Sequence, residues 1–408
     1  MNTLLASILV TSMALLIYHH LTYPIVVSFF AAAQRAVRGA KTEGAQDFLP
    51  SVTILVPAHN EERVIGPKLV NLLQTDYPAD RLAIVIVLDG CTDDTRRTSV
   101  DTLDSLPSQT QAQRAKRSLR VYEYPSNVGK VAVLNQQISQ IKSDIVVLSD
   151  ASASLSSDAV RRAVNHFSDP KVGVVAPTYK LVRAGREGEQ AYTDYLTRLR
   201  RDEGELDSPL GCHGACYLFR RNLWQPMAAD TINDDFILPM QIIAGGYRGV
   251  YDTSIVAVEL ETSSRQQEFR RRVRLGAGNM QQSIRLARLL NPRRPWLAFT
   301  FASGKWLRAF MPFVALAAVL ALAGLAACGG PTEQISALCG GMAIAALLYV
   351  GPTQPRILAW AAYLIEGYAA SLVGAVMFLA GRRLSKWQPN ATIQTGDATA
   401  NLIWPDKS

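Results

Sequence analysis

The stretch Val146-Val147-Leu148-Ser149-Asp150-Ala151-Ser152 reads as a buried strand that ends in a carboxylate. Two earlier apolar runs, Val52-Thr53-Ile54-Leu55-Val56-Pro57-Ala58 and Ile84-Val85-Ile86-Val87-Leu88-Asp89, also deliver polar residues at their carboxyl ends. In an open α/β sheet the carboxyl ends of the strands line one crevice, where ligands bind. Several acids in one crevice favour a metal site, a catalytic base, or both. These strand ends are the main indication that the chain is an enzyme.

Apolar strand patterns alternate with helical patterns from about residue 51 to residue 290. Unbroken apolar strands between helices are typical of a mostly parallel sheet that is covered on both faces. We therefore predict an α/β fold whose first half resembles a nucleotide-binding sheet. After about Pro177 the pattern loosens, and this second half is expected to bind the acceptor.

The two ends of the chain are more apolar than its middle. The chain has 408 residues, a formal net charge of +8 and five scattered cysteines, which argue against a disulfide framework. The predicted domains are a membrane anchor (1–33), a basic linker (34–50), a cytoplasmic catalytic domain (51–290), an interfacial segment (291–309), membrane segments (310–381) and a polar tail (382–408).

A membrane-spanning helix needs about 20 apolar residues. Residues 2–21 fit one span, with the chain from Pro24 onwards expected along the membrane surface. A cleaved signal peptide is the alternative, but the chain lacks a basic start. Three further apolar stretches follow at 310–328, 335–350 and 357–380.

Lysine and arginine residues beside the spans predict the topology of the chain. Basic residues after the first span and before the second place the catalytic domain in the cytoplasm, at the inner or plasma membrane. The basic tail also favours the inside, although three full spans would place it outside. A re-entrant segment among the last three, or an exception to the charge rule, therefore stays open.

Five short polar motifs carry the chemistry of the catalytic domain. In chain order they are Val56-Pro57-Ala58-His59-Asn60-Glu61-Glu62, Asp89-Gly90-Cys91-Thr92-Asp93-Asp94, Asn127-Val128-Gly129-Lys130, Asp150-Ala151-Ser152 and Thr231-Ile232-Asn233-Asp234-Asp235. Taken singly, each motif is also compatible with an ordinary helix cap or strand-end turn. Their order along alternating strands and helices favours one composite site.

The five motifs together resemble those of membrane-bound family 2 glycosyltransferases, which have a GT-A fold. This group includes the cellulose, hyaluronan and poly-N-acetylglucosamine synthases, and the resemblance covers about residues 50–290. It implies that Pro57, Asn60 and Glu61 lie beside the nucleotide base. It also implies that Asp89 accepts hydrogen bonds from the uracil or ribose.

The resemblance assigns the remaining motifs to the sugar diphosphate and the acceptor. Asp235 aligns with the general base, and Asp234 is expected to orient the acceptor side. Asp150 stands at the metal-binding Asp-x-Asp position and would hold Mn²⁺ or Mg²⁺. Lys130 and Arg274 would contact the diphosphate. His213, in a glycine loop, would contact the acceptor, although a lone histidine is more often structural.

Two positions depart from the family pattern. Ser152 replaces the second carboxylate of Asp-x-Asp, and a hydroxyl is a poorer ligand for a hard cation. Leu275 stands where processive members have the tryptophan that stacks on the acceptor sugar. Metal dependence therefore remains expected, whereas the case for a processive polymerase is weaker.

The resemblance implies an inverting transferase that moves a sugar from a nucleotide-sugar, here a UDP-sugar, to a lipid-linked or glycan acceptor in exopolysaccharide or envelope glycan synthesis. The expected partners are donor, acceptor and membrane lipids, with no nucleic acid. Three alternatives stay open: an inactive nucleotide-binding membrane subunit, a ceramide or polyprenyl-phosphate glycosyltransferase, and a transport protein with a regulatory domain.

Overall fold

In the computed structural model, nine strands among the described residues form one mixed sheet. The structure describes residues 2–38, 48–106, 117–181, 187–259, 265–332, 334–336, 339–342, 356–382 and 401–404. The strands are β1 (Val52–Ala58), β2 (Leu82–Asp89), β3 (Ser118–Tyr124), β4 (Ile145–Ser149), β5 (Ala153–Leu155), β6 (Val172–Leu181), β7 (Cys216–Arg220), β8 (Arg248–Glu259) and β9 (Asn401–Trp404).

The helices fall between and around these strands. They are α1 (Asn2–Ile17), α2 (Tyr23–Arg38), α3 (Ile65–Leu73), α4 (Thr95–Asp104), α5 (Lys130–Gln140), α6 (Ala159–Asn165), α7 (Glu187–Leu206), α8 (Asp234–Ala244), α9 (Arg265–Arg285), α10 (Pro295–Thr300), α11 (Leu307–Cys328) and α12 (Arg356–Leu379). Short π-helical segments join α1 to α2 (Tyr18–Thr22) and α10 to α11 (Phe301–Trp306).

The strand order is β5-β8-β6-β7-β4-β1-β2-β3-β9. β1 lies between β4 and β2 and pairs in parallel with both, and β3 continues this parallel half. β7 then pairs antiparallel with β4 and β6, while β6 and β8 are parallel. The predicted α/β class is confirmed, and the antiparallel pairs fall where the alternating pattern loosens.

Apolar side chains bury the parallel half of the sheet on both faces. Every residue of β1 is buried. On one face, Ile54 and Val56 join a core cluster with Ile65 and Leu69 of α3, while Leu55 is buried on the other face. Each fully buried aliphatic side chain stabilises the fold by about 1.5–3 kcal/mol. This burial holds the carboxyl ends of β1, β2 and β4 at one edge of the sheet.

The chain divides into two compact units. One contains the nine strands with α3–α6 and α8, and the other contains α1, α2, α7 and α9–α12. In this division α7 and α9, which lie within the predicted 51–290 segment, pack with the apolar helices. Within the predicted polar tail, residues 401–404 form β9, which is antiparallel to β3.

Close packing explains why α7 and α9 belong to the helical unit. Tyr23, Val27 and Ala31 lie on one face of α2 and are buried with Leu206 of α7. Where α9 crosses α12, a Cβ on Gly374 would lie 1.9 Å from the carbonyl oxygen of Val273, so only glycine fits there. The local sequence pattern predicts neither the contact between α2 and α7 nor the contact between α9 and α12.

Three described helical segments are long and apolar enough to cross a membrane: Asn2–Val37, Pro295–Cys328 and Ala362–Leu379. The first continues as helix through Pro24, where the sequence predicted a surface segment. Of the expected 335–350 stretch, only 335–336 and 339–342 lie within the described residues, and they are helical. Most of that stretch and of the basic linker lies outside the described residues.

Candidate active site

Hydrogen bonds tie together the loops that follow β1 and β2. Asn60 has a positive φ of 57°, and its side-chain oxygen accepts the backbone N–H of Thr92 at 2.8 Å. The backbone N–H of Glu61 donates to Thr95 Oγ1 at 2.8 Å. Pro57 lies within β1, buried and opposite Val87. The first two motifs are thus joined by hydrogen bonds, and their place beside the nucleotide base stays a prediction.

Asp89 holds the loop that leads to Lys130. Its side chain is fully buried, and its two carboxylate oxygens accept the backbone N–H groups of Val128 (2.7 Å) and Gly129 (2.9 Å). Burial raises the pKa of the Asp89 carboxyl, and these two hydrogen bonds oppose that rise. Asp89 therefore positions the third motif in this structure, while contact with the uracil or ribose stays a prediction.

A close backbone approach explains the glycine after Asp89. Gly90 has φ +58°, and a Cβ placed on it would lie 2.1 Å from the backbone nitrogen of Asn127. His59 Nδ1 lies 2.6 Å from the carbonyl oxygen of Asp89 and therefore donates to it. With that tautomer, His59 Nε2 is an acceptor for the Asn127 amide at 3.2 Å. Sequence reasoning left the His59–Asn127 pair unassigned.

Lys130 lies between two of the predicted site acids. Its Nζ is 2.9 Å from Asp150 Oδ1 and 3.3 Å from Asp234 Oδ2. Burial alone would lower the pKa of Lys130, but Asp150, Asp234 and Asp235 outweigh it and raise the pKa above its usual value. The fold thus brings the third, fourth and fifth motifs together around one ammonium group.

Asp235 and Asp150 meet beside Gly214. A Cβ placed on Gly214 would lie 2.8 Å from Asp150 Oδ2 and 3.7 Å from Asp235 Oδ2. Asp235 stands in the first turn of α8, and its carbonyl accepts the backbone N–H of Cys212 at 3.0 Å. The glycine loop before β7 therefore touches both acids, and a side chain at Gly214 would fill the space beside them.

His213 stacks on an aromatic ring. The rings of His213 and Tyr179 lie 3.5 Å apart between centroids, at an interplanar angle of 14°. His213 Nδ1 accepts the backbone N–H of Ala215 at 3.2 Å. These contacts fix the ring within the glycine loop that precedes β7. Its predicted contact with the acceptor stays a prediction, and the sequence pattern gave no sign of Tyr179.

The donor set at Asp150 suits a hard divalent cation only in part. Carboxylate oxygens are the ligands that Mg²⁺ and Mn²⁺ prefer, and the Asp150 and Asp235 oxygens face the same space at Gly214. Among the described residues, however, no three His, Cys, Asp or Glu side chains form a metal-holding group. With Ser152 at the second position, a cation held by Asp150 would need diphosphate oxygens and water as its other ligands.

Arg274 is the one predicted site residue that belongs to the helical unit. It lies on α9 and is partly buried. Its contact with the diphosphate stays a prediction.

Lys68 is a site neighbour that sequence reasoning did not identify. It lies on the buried face of α3, beside Ile65, Leu69 and Leu72, and is 1% exposed. A lysine on the apolar face of a helix is unusual, and this position could have singled out Lys68 from the sequence.

Comparison with known proteins identifies the family. A family model described as glycosyltransferase like family 2 matches residues 50–278. β-Monoglucosyldiacylglycerol synthase from Synechocystis sp. is 36% identical over 127 residues, 31% of this chain and 25% of that protein. An N-acetylglucosaminyltransferase from Rhizobium leguminosarum bv. viciae is 25% identical over 234 residues, 51% of each chain. The matched region thus spans between a quarter and about half of these relatives.

A solved structure supports the same fold. Mannosyltransferase PcManGT from Pyrobaculum calidifontis superposes with a TM-score of 0.69 at 24% identity, covering 91% of this chain and 99% of that chain. At this identity the likeness establishes the GT-A fold. The family match covers more than half of the chain and includes the residues that meet around Lys130. The chain therefore belongs to the glycosyltransferase like family 2.

Proposed function

We propose that the chain transfers a sugar, with inversion at the anomeric carbon, from a UDP-sugar to a lipid-linked or glycan acceptor at a membrane. The observation that carries this proposal is the cluster in which Lys130 Nζ lies within 3.3 Å of both Asp150 and Asp234. The cluster offers a cation for a diphosphate and acids for an acceptor hydroxyl. Both are needed when a sugar moves between two oxygen atoms.

Asp235 is the proposed general base. It takes the proton from the acceptor hydroxyl while that oxygen attacks the anomeric carbon. Asp234, which pairs with Lys130, orients the acceptor side. His213 lies in the loop beside them and would contact the acceptor sugar. One displacement of this kind inverts the anomeric carbon and requires no covalent enzyme intermediate.

The leaving diphosphate is stabilised by positive charge. Lys130 supplies a protonated ammonium group, because its neighbouring carboxylates raise its pKa. Arg274 is the second proposed cation for the diphosphate. Asp150 would hold a divalent cation, Mn²⁺ or Mg²⁺, which neutralises diphosphate charge when it is bound. Pro57, Asn60 and Glu61 would lie beside the base, with Asp89 at the uracil or ribose.

The helical unit is the proposed membrane part. Its three candidate spans would anchor the enzyme in an inner or plasma membrane, with the sheet-containing unit in the cytoplasm. The predicted 51–290 catalytic boundary and its flanking segments remain part of this proposal. We place the activity in exopolysaccharide or envelope glycan synthesis, with membrane lipids and no nucleic acid as partners.

The second candidate function is the transfer of one sugar to a lipid acceptor. It is favoured by the 36% identity to a β-monoglucosyldiacylglycerol synthase and by Leu275, which replaces the stacking tryptophan of processive enzymes. Analysis of product length separates the two functions. A lipid that carries one sugar supports single addition, and a ladder of glycan lengths supports polymerisation.

A donor screen tests the proposed function. Membranes that contain the chain are incubated with radiolabelled UDP-sugars and with GDP-mannose, the nucleotide-sugar named for PcManGT, with and without Mn²⁺ or Mg²⁺. We expect label transfer from a UDP-sugar and a loss of about 10²–10⁴-fold in the Asp235→Asn variant. Asp230→Asn, at an exposed acid of the same segment, is the matched control. Full transfer by Asp235→Asn overturns the assigned base, and transfer from GDP-mannose alone overturns the UDP assignment.

A further inference from the structure

Lys68 is a buried cation beneath the turn that carries Asp150. Its Nζ donates to Ser149 Oγ and to the carbonyl oxygen of Ala153, each at 2.6 Å. These two residues flank Asp150 in the chain. The turn between them is closed by the Ala153 N–H, which donates to the Asp150 carbonyl at 3.2 Å. Lys68 thus binds the residue before the turn and the residue that ends it.

The same lysine is linked to the glycine loop. Ser149 Oγ accepts from Lys68 and donates to the carbonyl oxygen of Ala215 at 2.8 Å. Ala215 follows Gly214, which lies directly against Asp150 Oδ2. One ammonium group therefore connects both sides of the space between Asp150 and the glycine loop.

The attachment of β5 to α3 does not explain why the charged side chain of Lys68 is buried. Asn71, one turn further along α3, already binds both backbone groups of Leu155, at 2.8 and 2.9 Å. A buried ammonium is costly unless its hydrogen bonds are satisfied, and an apolar residue would fill the same volume without that cost. The lysine therefore has a role that docking of the strand does not supply.

We propose that Lys68 is a positioning residue that holds the Asp150 turn against the glycine loop, in the geometry that binds the divalent cation and diphosphate. This inference rests on the proposed function, because Asp150 is the proposed metal ligand. It also bears on the Asp-x-Ser departure. With Ser152 in place of a second carboxylate, the orientation of Asp150 depends on its supporting turn.

A positioning role and a purely electrostatic role of Lys68 predict opposite effects of Lys68→Met on Mn²⁺ binding. If the ammonium acted only through its charge, its removal would strengthen Mn²⁺ binding, because like charges repel. If it positions Asp150, its removal weakens Mn²⁺ binding. Partners that orient a ligand typically account for about 10- to 100-fold in metal affinity or activity, and we expect a loss of that size.

The experiment measures Mn²⁺ binding without turnover. The purified full-length chain in detergent, with UDP present, is titrated with Mn²⁺ by electron paramagnetic resonance, and hydrogen exchange is followed for residues 149–155. We expect Lys68→Met to raise the half-saturating Mn²⁺ concentration and speed exchange in the turn. Asn71→Leu, which removes only the β5 contacts, is the control and should leave Mn²⁺ binding near that of the wild type.

Ser149→Ala serves as a second variant if Lys68→Met fails to fold. It removes the shared hydroxyl and is expected to weaken Mn²⁺ binding in the same direction. Where both fold, their effects on Mn²⁺ affinity should be non-additive, since they interrupt one chain of hydrogen bonds. Tighter or unchanged Mn²⁺ binding in Lys68→Met, or an equal loss in Asn71→Leu, overturns the inference.

Failure of the inference can be told apart from failure of the proposed function. A wild type that transfers sugar and binds Mn²⁺, together with a Lys68→Met variant unchanged in both, refutes only the positioning role. A wild type that transfers no sugar from any nucleotide-sugar and binds no Mn²⁺ refutes both.

Discussion

Lys130 Nζ and Asp150 Oδ1 lie 2.9 Å apart, although the two residues belong to different motifs and are separated by β4 and α5. The same nitrogen reaches Asp234 at 3.3 Å. One cation thus links the proposed metal ligand to the first turn of α8. In the chemistry proposed above, the incoming diphosphate shares this cation with the two acids.

Replacing Lys130 should damage donor use more than the fold. We expect Lys130→Met to raise the donor KM and to lower kcat by about 10²–10³-fold, the effect of losing one transition-state charge contact. Lys130→Arg keeps the charge with a different geometry and should be partly active. Steady-state kinetics with calorimetric titration of UDP measures both, and wild-type kinetics in Lys130→Met would contradict the assignment.

The raised pKa of Lys130 also predicts a pH response. Because its folded pKa lies above the unfolded value of about 10.4, the stability it contributes is fully present below that value. That contribution is lost only as pH rises through the higher folded pKa. Lys130 therefore stays protonated between pH 7 and about pH 10. We expect UDP binding to show no loss that is caused by deprotonation of Lys130 in this range. A fall that disappears in Lys130→Arg would contradict this.

Gly214 should not tolerate a side chain. In Gly214→Ala the new methyl group would lie 2.8 Å from Asp150 Oδ2, so the carboxylate must move. Transfer activity and Mn²⁺ binding should fall by at least about tenfold, in line with other changes beside a metal ligand. Gly341→Ala, at a glycine with open space around it, is the control. Equal activity of the two variants would show that the position of Asp150 is not critical.

Asp89→Asn should loosen the loop before α5. In the wild type both backbone N–H groups donate to the Asp89 carboxylate, whereas the asparagine NH₂ group would face one of them. That N–H would be left without an acceptor, and an unsatisfied buried donor costs about 1–3 kcal/mol. We expect faster hydrogen exchange at Val128 and Gly129, together with weaker UDP binding. If UDP binding falls while exchange at both amides stays slow, Asp89 acts by direct contact with the nucleotide instead.

The Asp252–His166 pair predicts an acid-sensitive contribution to stability. Burial alone would raise the pKa of Asp252, but hydrogen bonds from His166 and Ser254 outweigh it and lower the pKa to about 2. A lowered carboxyl pKa stabilises the fold above the unfolded value of about 3.9, and this is lost as pH falls towards 2.

The pKa of Asp252 is lowered from 3.8 to about 2, and one pKa unit corresponds to roughly 1.4 kcal/mol. We therefore expect Asp252→Asn to be less stable than the wild type by about 2.5 kcal/mol at pH 7. The difference in melting temperature should shrink between about pH 4 and pH 2. A gap that persists unchanged at pH 2 would mean that the aspartate acts through packing rather than ionisation.

Much of the fold follows from local sequence patterns. The seven residues of β1 form an unbroken apolar run, and a run of this kind between helices already predicts a buried parallel strand. Asp89 ends β2 and Asp150 follows β4, and such a sheet places these strand ends on one edge. The candidate spans are likewise long apolar segments, visible without a structure.

Contacts between distant segments were not available from these patterns. Asp89 turned out to hold the backbone of Val128 and Gly129, because sequence spacing does not tell whether a carboxylate faces a ligand or a neighbouring loop. Helix α7 carries a charged pattern typical of a domain surface, yet its Leu206 packs on Tyr23 of α2. No periodicity within α7 specifies that partner.

The sequence by itself determined the family, the α/β class, the apolar helices and the order in which acids follow strands, because each of these depends on residues that are neighbours in the chain. Only the tertiary structure decided that Lys130 pairs with Asp150 and Asp234, and that Lys68 lies beneath the Asp150 turn. Such pairs form when the strands assemble into the sheet and bring remote segments within hydrogen-bonding distance. Whether two segments come that close depends on the packing of the whole unit.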